Sequence, residues 1–172
     1  MNLHENAICG NYPAIIALDL GNPFGWATNI NGDIHSGAAL KFVDRHEMQF
    51  AGEIEAMIDL YKPSAVIYEN ACFQQGYAAQ TWHSQRGILA ATCQKRGILY
   101  EGIAVGTIKK HITGKGRFSK PKRKSDPPYL MCECLEMTWK IKVKDWNEAD
   151  AIGVLLTALE AGFVVKKIGE PE

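Results

Sequence analysis

The chain has 172 residues, 47% of them apolar, and its 19 basic and 19 acidic side chains balance to a net charge of zero. That length suits one domain with a full hydrophobic core and is short for two. No apolar run approaches the ~20 residues that span a bilayer, and the start Met1-Asn2-Leu3-His4-Glu5 lacks a basic signal-peptide region, so no membrane partner and a cytoplasmic location are expected. Cys9, Cys72, Cys93, Cys132 and Cys134 form neither a CxxC pair nor a zinc-ligand spacing, which argues against disulfide frameworks and zinc fingers.

In chain order, residues 14–20 are a continuous apolar run carrying Asp19 near its end. Gly25 to Ile30, followed by Asn31-Gly32, predicts a strand entering a two-residue hairpin, with 33–42 as the return strand. Phe50, Ile54, Met57 and Tyr61 repeat at helical spacing and predict an amphipathic helix over 45–61, stopped before Pro63. Ala65 to Tyr68 reads as a short buried strand with Glu69 at its end, and 77–95 as a long helix closed by Gly97. A strand over 98–104, a short helix over 107–112, a basic loop over 114–128 and a helix start at Ser125-Asp126-Pro127 follow. A final helix is expected over 146–161. Strands first, then alternating helices and strands, imply a single α/β domain over 1–172 with a mixed sheet.

Three acidic signatures stand on these elements: Ile15-Ile16-Ala17-Leu18-Asp19-Leu20-Gly21, Val66-Ile67-Tyr68-Glu69 and Asn147-Glu148-Ala149-Asp150-Ala151. A carboxylate at the tip of an apolar strand costs desolvation energy unless a positive charge neutralises it, and an all-oxygen set suits Mg²⁺ or Mn²⁺. Each alone has an ordinary structural explanation, such as turn amides satisfying Asp19; three together point to a metal site. On a helix, Asn147 and Asp150 share a face, whereas Glu148 points nearly opposite Asp150. Asp145 and Glu148 instead fit a capping box, leaving Asp150 as the ligand candidate with Asn147 beside it.

Between Lys109 and Lys124 there are eight basic residues (Lys109, Lys110, Lys115, Arg117, Lys120, Lys122, Arg123 and Lys124) and no acid. Taken alone such a run reads as a solvated loop; beside a carboxylate set it reads as a surface for polyanions. Oxygen ligands around two ions ~3.5–4 Å apart, with lysines nearby, suit phosphodiester hydrolysis.

These residues resemble the RuvC-type Holliday junction resolvases, branched-DNA endonucleases with an RNase H-like fold. Asp19-Leu20-Gly21 with Gly25-Trp26, then Val66-Ile67-Tyr68-Glu69, then Asn147-Glu148-Ala149-Asp150-Ala151 are similar to the three acid motifs. Lys109, Gly114-Lys115-Gly116 and Lys120 fall at the spacing of the family's lysine and Gly-x-Gly elements. The resemblance spans nearly the whole chain and is closest to the smaller, phage-associated members. It implies a mixed five-stranded sheet flanked by helices, cleavage dependent on Mg²⁺ with Mn²⁺ as substitute and two ions per site, and a homodimer on a four-way junction. On it, Asp19, Glu69, Asp150, Lys109 and Lys120 are catalytic, with Asn147 joining the carboxylates as a ligand.

Two departures stand out. Asn147 occupies the position of a fourth acid and offers a carbonyl oxygen without charge, so Asp145 or Glu148 is the alternative ligand. Pro121-Lys122-Arg123-Lys124 and Pro127-Pro128 form a basic extension. Phe73 falls where the family places a base-stacking aromatic, with core packing as its alternative role, and Trp82 reads as core. Two other functions fit parts of this pattern: a non-catalytic branched-DNA binding module, if Asn147 disables the second ion, and an actin-like nucleotide-binding protein, which needs a second lobe.

Overall fold

A computed structural model describes residues 13–39, 42, 46–71, 76–121 and 128–160. The apolar run forms β1 (Ile15–Asp19), and Gly25–Ile30 and Asp33–Ala38 form the hairpin β2–β3. Its two-residue turn places Asn31 and Gly32 at φ of 52° and 88°, the paired left-handed conformation that matches strand twist. The return strand is shorter than the sequence suggests. β2 begins at Gly25, so the ladder ends with the Gly25–Ala38 pair and the Ala39 N–H, which donates to Phe24 O, while residues 40 and 41 of the expected strand lie outside the described residues.

Helix α1 (His46–Tyr61) is followed by β4 (Ala65–Asn70), α2 (Tyr77–Arg96), β5 (Leu99–Ala104) and α3 (Val105–Thr113). Gly97 closes α2 in the left-handed conformation, its N–H donating to the Cys93 and Gln94 carbonyls. β4 runs two residues past Tyr68 because β5 continues alongside it, pairing Glu69 with Ile103 and Asn70 with Ala104. Helix α4 (Leu130–Met137) begins after Pro128, and the start expected at Ser125-Asp126-Pro127 lies outside the described residues. Helix α5 (Trp146–Glu160) ends the described chain.

The five strands form one sheet in the order β3-β2-β1-β4-β5, antiparallel through the hairpin and parallel from β1 to β5. Strand alternation divides the core in two. Ile16, Leu18, Val66 and Tyr68 face α1 and α2; Ile15, Ala17, Ala65 and Ile67 face α3, α4 and α5. Helix α5 lies between the sheet and the α3–α4 pair, which is why Glu148 through Leu159 are all buried.

Candidate metal centre and nucleic-acid interface

The two-residue period that sorts the core also aims the carboxylates. Asp19 has the parity of Ile15 and Ala17, and Glu69 that of Ala65 and Ile67, so both point to the α5 side of the sheet. The parallel register pairs Ala17 with Ile67 and Leu18 with Tyr68, so the next step sets Asp19 beside Glu69. Antiparallel pairing sets Asp19 opposite Gly25, and α5 packs its backbone directly on Gly25. A Cβ on Gly25 would lie 1.9 Å from the Asn147 carbonyl oxygen, so only glycine lets the first turn of α5 descend onto the strand ends. One turn further on, Asp150 meets the other two acids. Each of Asp19, Glu69 and Asp150 offers a carboxylate oxygen within 4.8 Å of the others.

Backbone supports fix the motifs from the opposite face. Gln85, fully buried on α2, donates its amide to Gly21 O at 2.7 Å. Trp82, buried as its sequence position implies, donates its indole N–H to Glu69 O at 3.3 Å. Asn22 exchanges two 2.8 Å hydrogen bonds with the Phe42 backbone, holding the turn after β1. At the start of α5, Asp145 Oδ1 accepts the N–H groups of Asn147 and Glu148, both at 2.9 Å, as a helix cap does. Glu148 reaches back one residue beyond the cap, accepting the Lys144 N–H at 2.6 Å, and its other oxygen accepts the Ser36 hydroxyl at 2.9 Å. Both Glu148 oxygens are thus engaged away from the acidic cluster.

Crowding carboxylates in a partly dry site raises the proton affinity of Asp19 and Glu69. Burial, then the charges of Glu69 and Asp150, lift Asp19 well above the ordinary carboxylate range. Burial and Asp150 push Glu69 up to about 7. The Lys120 ammonium lies 2.6 Å from Asp150 Oδ2 and 3.9 Å from Asp19 Oδ2, where a positive charge is most needed. Burial opposes that charge, but Asp150 and Asp19 outweigh it and hold the ammonium above its ordinary pKa. An all-oxygen donor set that already draws in a lysine fits a hard divalent cation.

The acids lie in a cleft of about 640 Å³ lined also by Lys109, Phe118, Lys120, Tyr129 and Asn147. Lys109 donates to Phe118 O at 2.9 Å and lies 4.6 Å over the Phe118 ring, with its charge still acting on Glu69. Asn147 lines the cleft a helical turn before Asp150. Lys110, Lys115 and Arg117 are exposed. Lys110 and Arg117 line two adjoining depressions around the start of α3, outside the acidic cluster. Phe73, Lys122, Arg123 and Lys124 lie outside the described residues.

Tyr129 was not singled out by the sequence. Its hydroxyl donates to Asp150 Oδ1 at 2.7 Å, and burial, then the Asp150 charge, push the phenol far above its ordinary pKa, so it stays a donor. A tyrosine between a basic loop and a helix carries no sequence signal that separates it from a core residue. Gln85 was missed as well, and its one available clue is a polar residue on the buried stripe of α2.

No family model matches the sequence, and no curated protein matches it. Solved structures do match in fold. Thermus thermophilus RuvC in complex with a Holliday junction substrate aligns with a TM-score of 0.69 at 15% identity, over 88% of this chain and 96% of that one. The fold is that of RuvC. A second Thermus thermophilus RuvC structure aligns at 0.64 with 16% identity, over 87% and 96% of the two chains. The yeast mitochondrial Holliday junction resolvase aligns at 0.51 with 10% identity, over 96% of this chain and 86% of that one. The five-stranded mixed sheet and flanking helices expected from the sequence are this RuvC, RNase H-like architecture. Among the described residues, no helix is long and apolar enough to cross a membrane.

Proposed function

We propose that this protein is a divalent-metal-dependent endodeoxyribonuclease that cuts branched DNA, with the four-way Holliday junction as its main substrate. The observation that carries the reading is the convergence of Asp19, Glu69 and Asp150 within 4.8 Å, in a cleft also lined by Lys109 and Lys120. The RuvC fold adds to it, since one solved neighbour is a RuvC bound to a Holliday junction substrate.

In this reading Asp19, Glu69 and Asp150 would hold Mg²⁺, with Mn²⁺ as a substitute, and the side-chain Oδ1 of Asn147 would serve a second ion. When bound, the ions supply Lewis acidity to the scissile phosphate and to the attacking water. Lys120 leaves the carboxylates for the phosphate once their charge is otherwise neutralised, and Lys109, beside it, contacts the same strand. Lys110, Lys115 and Arg117, with Lys122, Arg123 and Lys124, neutralise flanking phosphates, and Phe73 stacks on an unpaired base at the branch. Two copies of the chain cut the two opposed strands of a junction.

The test is a panel of end-labelled four-way, three-way, flap and linear DNAs incubated with Mg²⁺ and either wild type or Asp19→Asn. Paired symmetric cuts in the four-way junction by wild type, and junction binding without cutting by Asp19→Asn, are expected. Junction binding by wild type without nicking, even at stoichiometric protein, would establish a non-catalytic binding module instead.

A further inference from the structure

We infer that Tyr129 is the positioning residue that decides which oxygen of Asp150 is presented to a divalent ion. The inference rests on the metal-centre reading above and extends it to a residue outside the acidic set. Asp150 is only 3% exposed, and its two oxygens have different partners. Oδ1 accepts the Tyr129 hydroxyl at 2.7 Å, whereas Oδ2 faces Lys120 at 2.6 Å and shares that ammonium with Asp19. One oxygen is therefore held by a buried phenol and the other by a lysine shared with Asp19 in the cleft.

A carboxylate's terminal torsion is broad and nearly two-fold, so without a second contact the group turns easily and can present either oxygen, or both. A hydroxyl bonded to a charged carboxylate at this distance is among the stronger hydrogen bonds and fixes that torsion. Tyr129 is itself fixed. It is 2% exposed, with its ring centroid 5.6 Å from that of Phe118 and 6.1 Å from that of Trp146. The hydroxyl thus sits at the end of an immobile lever, and Asp150 is held with Oδ2 turned to Lys120 and Asp19, so that this is the oxygen an ion displacing the ammonium would meet. Partners behind metal ligands typically carry ~10–100-fold in metal affinity.

A packing role predicts something different, since phenylalanine would fill the same space. The experiment measures Mn²⁺ affinity of the full-length chain by electron paramagnetic resonance of the free ion, without DNA, and melting of the metal-free protein alongside. Tyr129→Phe is expected to weaken Mn²⁺ binding about 10–100-fold with little change in melting. Leu135→Ala, which opens the core on the same side of the sheet but keeps both the Tyr129 ring and its hydroxyl, is expected to lower the melting temperature and leave affinity unchanged. Wild-type affinity in Tyr129→Phe, or an equal loss in Leu135→Ala, overturns the inference and leaves the nuclease reading standing. If wild type shows no Mn²⁺ binding that Asp19→Asn removes, the metal-centre reading falls and the inference with it.

Discussion

The acidic and basic halves of the cleft are built on different principles. Asp19, Glu69 and Asp150 project from the central strands β1 and β4 and from the buried helix α5, in positions dictated by strand parity and by the Gly25–Asn147 approach. Lys109 and Lys120 stand on a short helix and on the irregular segment after it, while Lys110, Lys115 and Arg117 lie exposed around them. On the proposed function, the contrast separates a half that ion coordination would require to be rigid from a half that a DNA backbone of variable path would require to yield. Lys120 bridges the two, anchored on an exposed segment yet reaching Asp150.

The largest effect tests the rigid half at its tightest point. Gly25→Ala forces a methyl group into the Asn147 backbone, which cannot move aside as a side-chain tip can. Overpacking of this kind costs about 1–3 kcal/mol or more, so urea denaturation should show a marked loss of stability, with Mn²⁺ binding weakened as α5 lifts from β2. Unchanged stability in Gly25→Ala would mean that the carboxylates are not positioned by this contact.

Charge supplies the next effect. Asp19 and Glu69 have raised pKa values in the metal-free fold, so the folded chain retains protons that the unfolded chain has released. The Glu69 contribution to stability is full below its unfolded value and is lost as pH rises through about 7, and that of Asp19 is lost in the same direction. Metal-free protein should therefore melt at lower temperature at pH 8 than at pH 5. Asp19→Asn should raise metal-free stability at pH 8 while abolishing stabilisation by Mn²⁺. In wild type, saturating Mn²⁺ at about 100 times its Kd should contribute ~2.7 kcal/mol, most visibly at the higher pH. Thermal melts across pH with and without the ion measure all three.

Smaller effects separate support from contact. Gln85→Ala removes the amide that holds Gly21 O and should cost about 1 kcal/mol in a denaturant titration. On the basic half, Lys110→Ala or Arg117→Ala should leave stability unchanged, weaken junction binding similarly for all sequences, and lower the slope of log affinity against log salt by ~1. A change confined to one DNA sequence would assign that side chain to base reading instead.

The same contrast explains what could be read from the chain before folding. The apolar runs ending in Asp19 and Glu69 announce strands because hydrophobic periodicity is local, and helical spacing alone separates Asp150 from Glu148. Element ends were less legible: β3 stops at Ala38 and β4 continues to Asn70 because of what their neighbours in the sheet do. Tyr129 and Gln85 escaped notice because their roles exist only through partners distant in sequence, Asp150 and Gly21. The basic run was visible as composition, but which of its members reach the acids depends on how α3 and the following loop are laid against the sheet.

Strand alternation behaves as a switch with two settings, and this governs how such a protein can be altered. Inserting or deleting one residue within β1 before Asp19 would turn its carboxylate to the α1–α2 side and dismantle the cluster, however conservative the added residue. Ser119 to Pro121, which carry Lys120 to the acids, form no strand and lie under no such rule.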